Sequence, residues 1–292
     1  NLAYCQAVEK ILEIDVPERA QHIRLIAGEL NRISSHLLWL GTYLLDLGGI
    51  TPFLYGFDDR EKILDILDRI TGSRLTYSYG RFGGVVMDVD DTFLRQTADF
   101  VAYFRERLTL FDELVIGNVI FQERTRDVGV FPEKIIQQYA LSGPCLRAMG
   151  VARDVRKEEP YGLYDRFEFS VPTRSEGDCF ARSLVRMDEM RESLHLIEQA
   201  LSAIPDGPFM AAKVPKRLRP PEGEYCFAVE SARGRYQHII VSDGSDVPLR
   251  HKLMTPSFVN ISAMCEVMPG TMLSDAVAIL GSIDIVVPEI DR

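Results

Sequence analysis

Paired cysteines, long apolar runs and histidine clusters are what this 292-residue chain lacks. Its five cysteines, Cys5, Cys145, Cys179, Cys226 and Cys265, stand apart with no C-x-x-C spacing, so neither a zinc ribbon nor a self-contained iron-sulfur site can be drawn from them. They read as buried thiols of a reducing compartment. No apolar stretch approaches the roughly 18 residues a membrane span needs; the longest, Leu37 to Leu47, is broken by Gly41, Thr42, Tyr43 and Asp46. This reads as a soluble chain that can sit against a membrane. Basic charge is also short, 33 Lys and Arg against 43 Asp and Glu for a net −10, so a nucleic-acid partner is not expected, because phosphate backbones require a basic patch. His22, His195, His238 and His251 have no metal-ligand spacing, and no Ser or Cys stands in a nucleophile-elbow context. The chain opens in mid-pattern, NLAYCQAVEKIL, without Met or a targeting segment, which leads us to expect residues upstream of Asn1.

What is present is apolar periodicity. Hydrophobic residues make up 46%, ordinary for a globular chain with a large core. Asp15 with Glu18 resembles a capping box, predicting a helix from about Val16. Its apolar stripe runs through Ile23, Ile26, Leu30, Ile33, Leu37, Leu40, Leu44 and Leu47 to a stop at Gly48-Gly49. Asp58-x-x-Glu61 predicts a second helix ending at Gly72, and further long helices are expected over 91–116 and 178–203, with an irregular stretch over 141–172. Segments 225–230, 236–242 and 250–254 read as a small antiparallel sheet. The expected fold is mainly α with a small antiparallel β portion: a helical core over 1–204, then 205–292 with the β portion, a C-terminal helix and a tail packed on the same core. That tail, TMLSDAVAILGSIDIVVPEIDR, is rich in core-forming residues, so burial is expected, with partners for Asp284, Glu289, Asp291 and Arg292.

Few residues point to chemistry. Asp46 is an acid at a helix C-terminus among leucines, where the dipole disfavours it. It is either bonded to a neighbouring arginine or backbone group, or a partly desolvated carboxylate that handles protons. His36 shares a helix face with Glu29 and Arg32, in a polar contact between helices or in proton transfer. Arg182, Arg186, Glu189 and Arg191 read as salt-bridged surface, and Arg147, Arg153, Arg156 and Lys157 as a solvated or interface loop.

Taken as strings, the segment from NLAYCQAVEKIL to DRITGSRL, then RFGGV, SGPCLRAMGV, DVRKEEPY, GDCFARSLVRMDEM, VSDGSDVPLRHKLMTPSFVN and AILGSIDIVVPEIDR resemble the hydrogenase-like D-type subunit family of proton-pumping NADH:quinone oxidoreductase, respiratory complex I. The resemblance spans nearly the whole chain and implies the fold of nickel-iron hydrogenase large subunits. Hydrogenases end in a D-P-C-x-x-C-like motif; aligned on Asp284, the cysteine positions are Val286 and Glu289, so this half of a nickel-iron site is gone. The resemblance implies that the emptied cavity takes a quinone headgroup as bound substrate, lined by Thr42, Asp46 and Val286, with Asp46 and His36 in proton coupling. Thr76 and Arg81 would face a partner holding a 4Fe-4S cluster, and this chain would hold neither metal nor cluster. Other peripheral-arm subunits and a membrane-embedded quinone-channel subunit are further implied partners, with the chain peripheral on the cytoplasmic face of the plasma membrane, or on the matrix or stromal face of an organelle membrane. Thr76 stands where many relatives have histidine, suggesting a low-potential acceptor such as menaquinone. The short 203–222 region leaves ferredoxin or reduced deazaflavin open as donor in place of NADH. The competing reading is a non-catalytic scaffold joining the cluster subunit to the membrane arm.

Overall fold

The computed structural model describes residues 1–291; Arg292, and its expected partner, lie outside the described residues. Helices dominate. A short helix that periodicity did not single out, α1 (Leu2–Ile11), leads into α2 (Glu18–Asp46), whose 29 residues span about 43 Å at 1.5 Å each. The expected capping box does not form, because Pro17 is the N-cap and no side chain caps the helix. A proline disfavours helical backbone in the residue before it, so Val16 cannot start the helix and Asp15 stays outside.

The second long helix, α3 (Ile50–Thr71), begins eight residues ahead of Asp58. The chain turns at Gly48-Gly49 and folds straight back, so that the Phe53 and Phe57 rings lie over Gly41 of α2. Packing, not a cap, nucleates this end, and Asp58 pairs with Lys62 instead, at 2.8 Å. The other end stops as expected, with Gly72 in the left-handed conformation at φ 68°. Helix α4 (Asp91–Phe111) is capped by Asp90 and runs on through one wider turn over 112–116; Asp59 of α3 accepts from Tyr103 and Arg107 of α4. Short helices α5 (Val119–Thr125), α6 (Lys134–Tyr139), α7 (Gly143–Arg147) and α8 (Val155–Glu158) lead to α9 (Cys179–Ala203), capped by Asp178. Helix α2 packs against both α3 and α9.

The RFGGV segment makes a tight hairpin, β1 (Gly80–Arg81) with β2 (Gly84–Val85). A Cβ at Gly84 would lie 2.2 Å from the Phe209 carbonyl oxygen, so only glycine lets the 209–211 segment close on it. From α2, Arg24 donates to the Gly84 and Arg81 carbonyls and forms a buried bidentate pair with Glu9 of α1, at 2.6 and 2.8 Å. The three-stranded sheet forms where the alternation predicts, β3 (Gly223–Ser231), β4 (Gly234–Ser242) and β5 (Arg250–Met254), antiparallel in the order β3-β4-β5. Small helices α10 (Pro256–Ser262), α11 (Met264–Val267), α12 (Leu273–Ile283) and α13 (Val287–Ile290) close the chain.

Burial of the C-terminus is only partial. Ala278, Ile279, Ser282, Ile283 and Asp284 are buried, whereas Leu273, Val277, Leu280, Val287 and Asp291 are exposed. Asp284 pairs with Arg233 and Glu289 accepts from Ser257, but α12 has one stripe turned outward because only one of its faces meets α2 and α9. Cysteine burial is likewise divided: Cys5, Cys145 and Cys179 are buried, Cys226 and Cys265 exposed.

The largest departure from expectation is where charge goes. Arg182, Arg186 and Glu189 are fully enclosed, not surface, because α9 runs through the middle with α2, α4, α7 and α12 around it. Arg147 and Arg156 are buried too. Arg147 donates twice to Glu189 Oε1, at 2.6 and 2.9 Å, and to Glu230 Oε1 at 2.8 Å. Arg156 pairs with Asp154 at 2.7 Å and with Glu29 at 3.3 Å, and Arg32 reaches Glu29 at 3.1 Å. Glu29 also accepts from Tyr164 and Ser193, each at 2.6 Å. Burial alone would raise the Glu29 carboxyl, but Arg32, Arg156 and these two hydroxyls outweigh it and hold its pKa at about 2 against an ordinary 4.5.

Two outcomes follow. A Gly84→Ala substitution forces a methyl group into backbone and is expected to lower stability by about 1–3 kcal/mol, read by urea unfolding. Because the folded pKa of Glu29 is depressed, its contribution is complete above about pH 4.5 and is lost as pH falls towards 2. Glu29→Gln should therefore destabilise at pH 7 and flatten stability against pH across that window; an unchanged acid limb would remove Glu29 from the account.

Candidate functional site

The residues singled out from sequence occupy three different places. Asp46 is the last residue of α2, exposed, and it makes neither hydrogen bond nor ion pair among the described residues. Both environments expected for it, an arginine partner or partial desolvation, are absent in the chain alone. The turn at Gly48 carries the chain away before any cation can reach it. Thr42, one turn earlier and also exposed, spends its hydroxyl on the carbonyls of Leu38 and Trp39. Asp46 and Thr42 thus share the open C-terminal end of α2.

His36 lies ten residues before Asp46, about 15 Å along the helix. It is fully buried and bonded through Nε2 to Glu189 Oε2 at 2.9 Å. It makes the inter-helix polar contact, but to α9 and not to Glu29. Burial pushes its pKa down, opposed by Glu189, so the imidazole is neutral at neutral pH.

Val286 is half-buried beside α10, its N–H 3.5 Å from Ser257 Oγ. Just before it, Asp284 is tied by Arg233 to Ser35 of α2. Val286 therefore lies nearer the middle of α2 than the Asp46 end. Thr76 and Arg81 are both exposed on the segment joining α3 to β2. Thr76 is held at φ 53°, unusual for a β-branched residue, and Arg81 donates to Ser78 and Gly80.

Sequence reasoning missed a cavity of about 530 Å³ between α1, α2, the 160–164 loop and the β3–β4 turn, within the range of small-molecule sites. Its walls include Arg32, Ser35, Tyr161, Glu230, Arg233 and Glu289. Arg32 Nη1, in a side chain otherwise bonded to Glu29 and the Glu230 carbonyl, has no hydrogen-bond partner among the described residues. Glu289, which stands at a hydrogenase cysteine position, lines this cavity; Thr42, Asp46 and Val286 do not. A second cavity, about 450 Å³, is bordered by Thr76, Tyr77, Arg60 and Asn31. The signal that could have found the charged interior was present: Arg182, Arg186 and Glu189 recur at i, i+4 and i+7, one helix face. No group of three or more His, Cys, Asp or Glu able to hold a metal ion occurs among the described residues, and no helix there is long and apolar enough to cross a membrane.

Comparison with known proteins accounts for the whole chain. The family model for the respiratory-chain NADH dehydrogenase 49 Kd subunit matches residues 46–292. The D-type NADH-quinone oxidoreductase subunit of Syntrophobacter fumaroxidans is 55% identical over 292 residues, covering 100% of this chain and 78% of that protein. The second D-type subunit of Opitutus terrae is 53% identical over 290 residues, 99% of this chain and 73% of its own length. The D-type subunit of Geobacillus thermodenitrificans is 47% identical over 292 residues, 100% and 80% respectively. With a family model over most of its length and relatives near half identity over all of it, this chain belongs to the 49 kDa subunit family of respiratory-chain NADH dehydrogenase, the D-type subunits of NADH-quinone oxidoreductase.

Proposed function

We propose that the chain forms one wall of the site where quinone is reduced, in an assembly whose neighbouring subunit supplies electrons from a 4Fe-4S cluster, and that reduction is coupled to proton translocation. The observation that carries this is that the chain's relatives are named as NADH-quinone oxidoreductase subunits; its likeness to hydrogenases, which implies Val286 and Glu289 at thiolate positions, supports it. An apolar side chain at 286 shapes a pocket for a neutral ring where a thiolate would hold a metal.

Quinone reduction consumes two electrons and two protons, so acids must stand near the ring. Asp46 is the proton-handling group in this reading. Its exposed place at the end of α2 gives it no partner among the described residues, which fits a carboxylate completed by an adjacent subunit. The surface around it supports a seat on a membrane-embedded partner: Leu273, Val277 and Leu280 form an exposed stripe at i, i+4 and i+7 on α12, and Ile50 and Leu54 form another on α3. Helix α2 packs against both helices, and Ile50 and Leu54 open α3 just past the C-terminal end of α2. Contiguous exposed apolar area of this kind marks a docking surface, and a peripheral subunit on the membrane face would cover it. Thr76 and Arg81, on the exposed segment after α3, are the contacts toward the cluster-bearing partner, with Arg81 as the cation beside a reduced cluster.

Asp46→Asn keeps shape and removes the titratable group. In the assembled enzyme it should lower quinone reductase activity by about 10²-fold while leaving subunit composition intact; full activity in that variant would refute the role and favour the scaffold reading. At position 76, no ionisable group faces the cluster, so the partner's cluster potential should not vary with pH. Thr76→His should introduce a pH slope in redox titrations, and histidine tolerates the left-handed backbone there better than threonine. A slope already present with threonine would sink this assignment.

A further inference from the structure

The middle of the molecule holds a group of polar atoms whose hydrogen-bonding needs match one another but not their protein neighbours. On α9, Arg186 is fully buried, its guanidinium 4.4 Å over the ring of Trp39, and its Nη1 donates to the carbonyls of Ser282, at 2.8 Å, and Arg182. Its Nε and Nη2 have no partner among the described residues. On α2, His36 is bonded through Nε2 alone, and Nδ1 has no partner. At the end of α12, Asp284 receives Arg233 on Oδ1 at 3.1 Å, while Oδ2 has none.

These three side chains belong to one layer. Trp39 donates to the Gly281 carbonyl at 2.8 Å, which fixes the end of α12 against α2 one turn from His36. Arg182 donates to Ser282 Oγ at 3.0 Å and Arg186 to its carbonyl, which fixes the same segment against α9. Arg233 bridges Asp284 to Ser35, the neighbour of His36.

The protonation states set the polarity of each orphan atom. Burial would raise the Glu189 carboxyl, but Arg147 and the His36 bond hold it well below the usual carboxylate range. It is ionised, so His36 Nε2 must carry the hydrogen. The neutral ring then presents a bare, accepting Nδ1. The layer therefore holds donors without acceptors on Arg186 and acceptors without donors on His36 and Asp284. Left unsatisfied in the interior, each group would carry the full desolvation penalty of a buried polar atom, and buried water with two to four polar partners is the ordinary remedy. An anion would satisfy Arg186 but confront two acceptors.

We propose that Arg186, His36 and Asp284 enclose a site for ordered water, one or two molecules that accept from Arg186 and donate to His36 Nδ1 and Asp284 Oδ2. This solvent joins the interior charge layer to the C-terminal segment that carries Val286. It also gives His36 an exchangeable neighbour at Nδ1: a proton delivered along the water is held on the ring as imidazolium beside the ionised Glu189 and returned by the same path. The charged groups facing the ring are Glu189, Arg186 and Arg182 of α9, Arg32 of α2, Arg147 of α7, and Asp284 with Arg233 at the α12 end. His36 is thus a positioning residue for protons, acting through water.

A structure of the assembled oxidoreductase at a resolution that shows solvent tests the site directly. Density within hydrogen-bonding distance of Arg186 Nη2, His36 Nδ1 and Asp284 Oδ2 is expected. Arg186 rotated into direct contact with either acceptor, or a halide peak after bromide exchange, would overturn it. The proton role rests on the quinone reading above. In the same assembly His36→Gln should lower quinone reduction about tenfold, with a changed pH profile and solvent isotope effect but unaltered subunit content. Equal rates and profiles would remove the proton role while leaving the water; a wild-type enzyme that reduces no quinone would instead overturn the quinone reading. If the variant does not assemble, the solvent density in wild type still decides the site.

Discussion

The matching of guanidinium to carboxylate between α2, α9 and the 147–156 segment is the constraint on which the rest of the structure depends. Arg32, Arg147 and Arg156 meet Glu29, Asp154, Glu189 and Glu230 in a layer with almost no access to water. Each charge is tolerable there only because a partner stands within hydrogen-bonding distance, and removing one partner of a buried pair typically costs about 3–5 kcal/mol. An apolar contact would allow α9 to slide or rotate against α2 with modest loss. A planar, forked guanidinium holding Glu189 and Glu230 at once does not. The register of the two longest central elements is therefore set by polar geometry, with Ile26, Leu30, Ile33 and Leu37 supplying the buried apolar area around it.

That layer also arranges the functional surroundings. It holds the β3–β4 turn against α2 through the Arg32 bond to the Glu230 carbonyl, and the turn's Arg233 holds Asp284. The cavity lined by Arg32, Glu230 and Glu289 exists because the turn cannot close further onto α2. At the far end of α2 the layer gives out, charge is exposed, and Asp46 and Thr42 face outward, with the exposed Ile50 and Leu54 just beyond. One helix thus carries a locked interior at its middle and an open, partner-ready end.

Legibility followed the range of the interactions. The long helices, their stops at Gly48 and Gly72 and the three strands could be read because each depends on residues within one or two turns of one another. The Asp15–Glu18 box and the Asp58 start were misread for the same reason in reverse: local signals were present, but Pro17 and the packing of Phe53 and Phe57 on Gly41 overrode them. Arg147 and Arg156 looked like a solvated loop because nothing near them in sequence announces Glu189, 42 residues on, or Glu29, 127 residues back. His36 could be placed on a helix face, but its true partner is 153 residues away.

What the sequence by itself determined is the set of helices and strands, the net negative charge, and a C-terminal segment, 271–292, without cysteine, since period, composition and side-chain chemistry are properties of short stretches. Only the tertiary structure decided which charges are interior, that the tail is half open, and that Arg186, His36 and Asp284 each keep a buried polar atom without a partner among the described residues. Those outcomes depend on which faces meet across long separations in the chain, and a one-dimensional pattern states which residues share a face without stating what that face will touch.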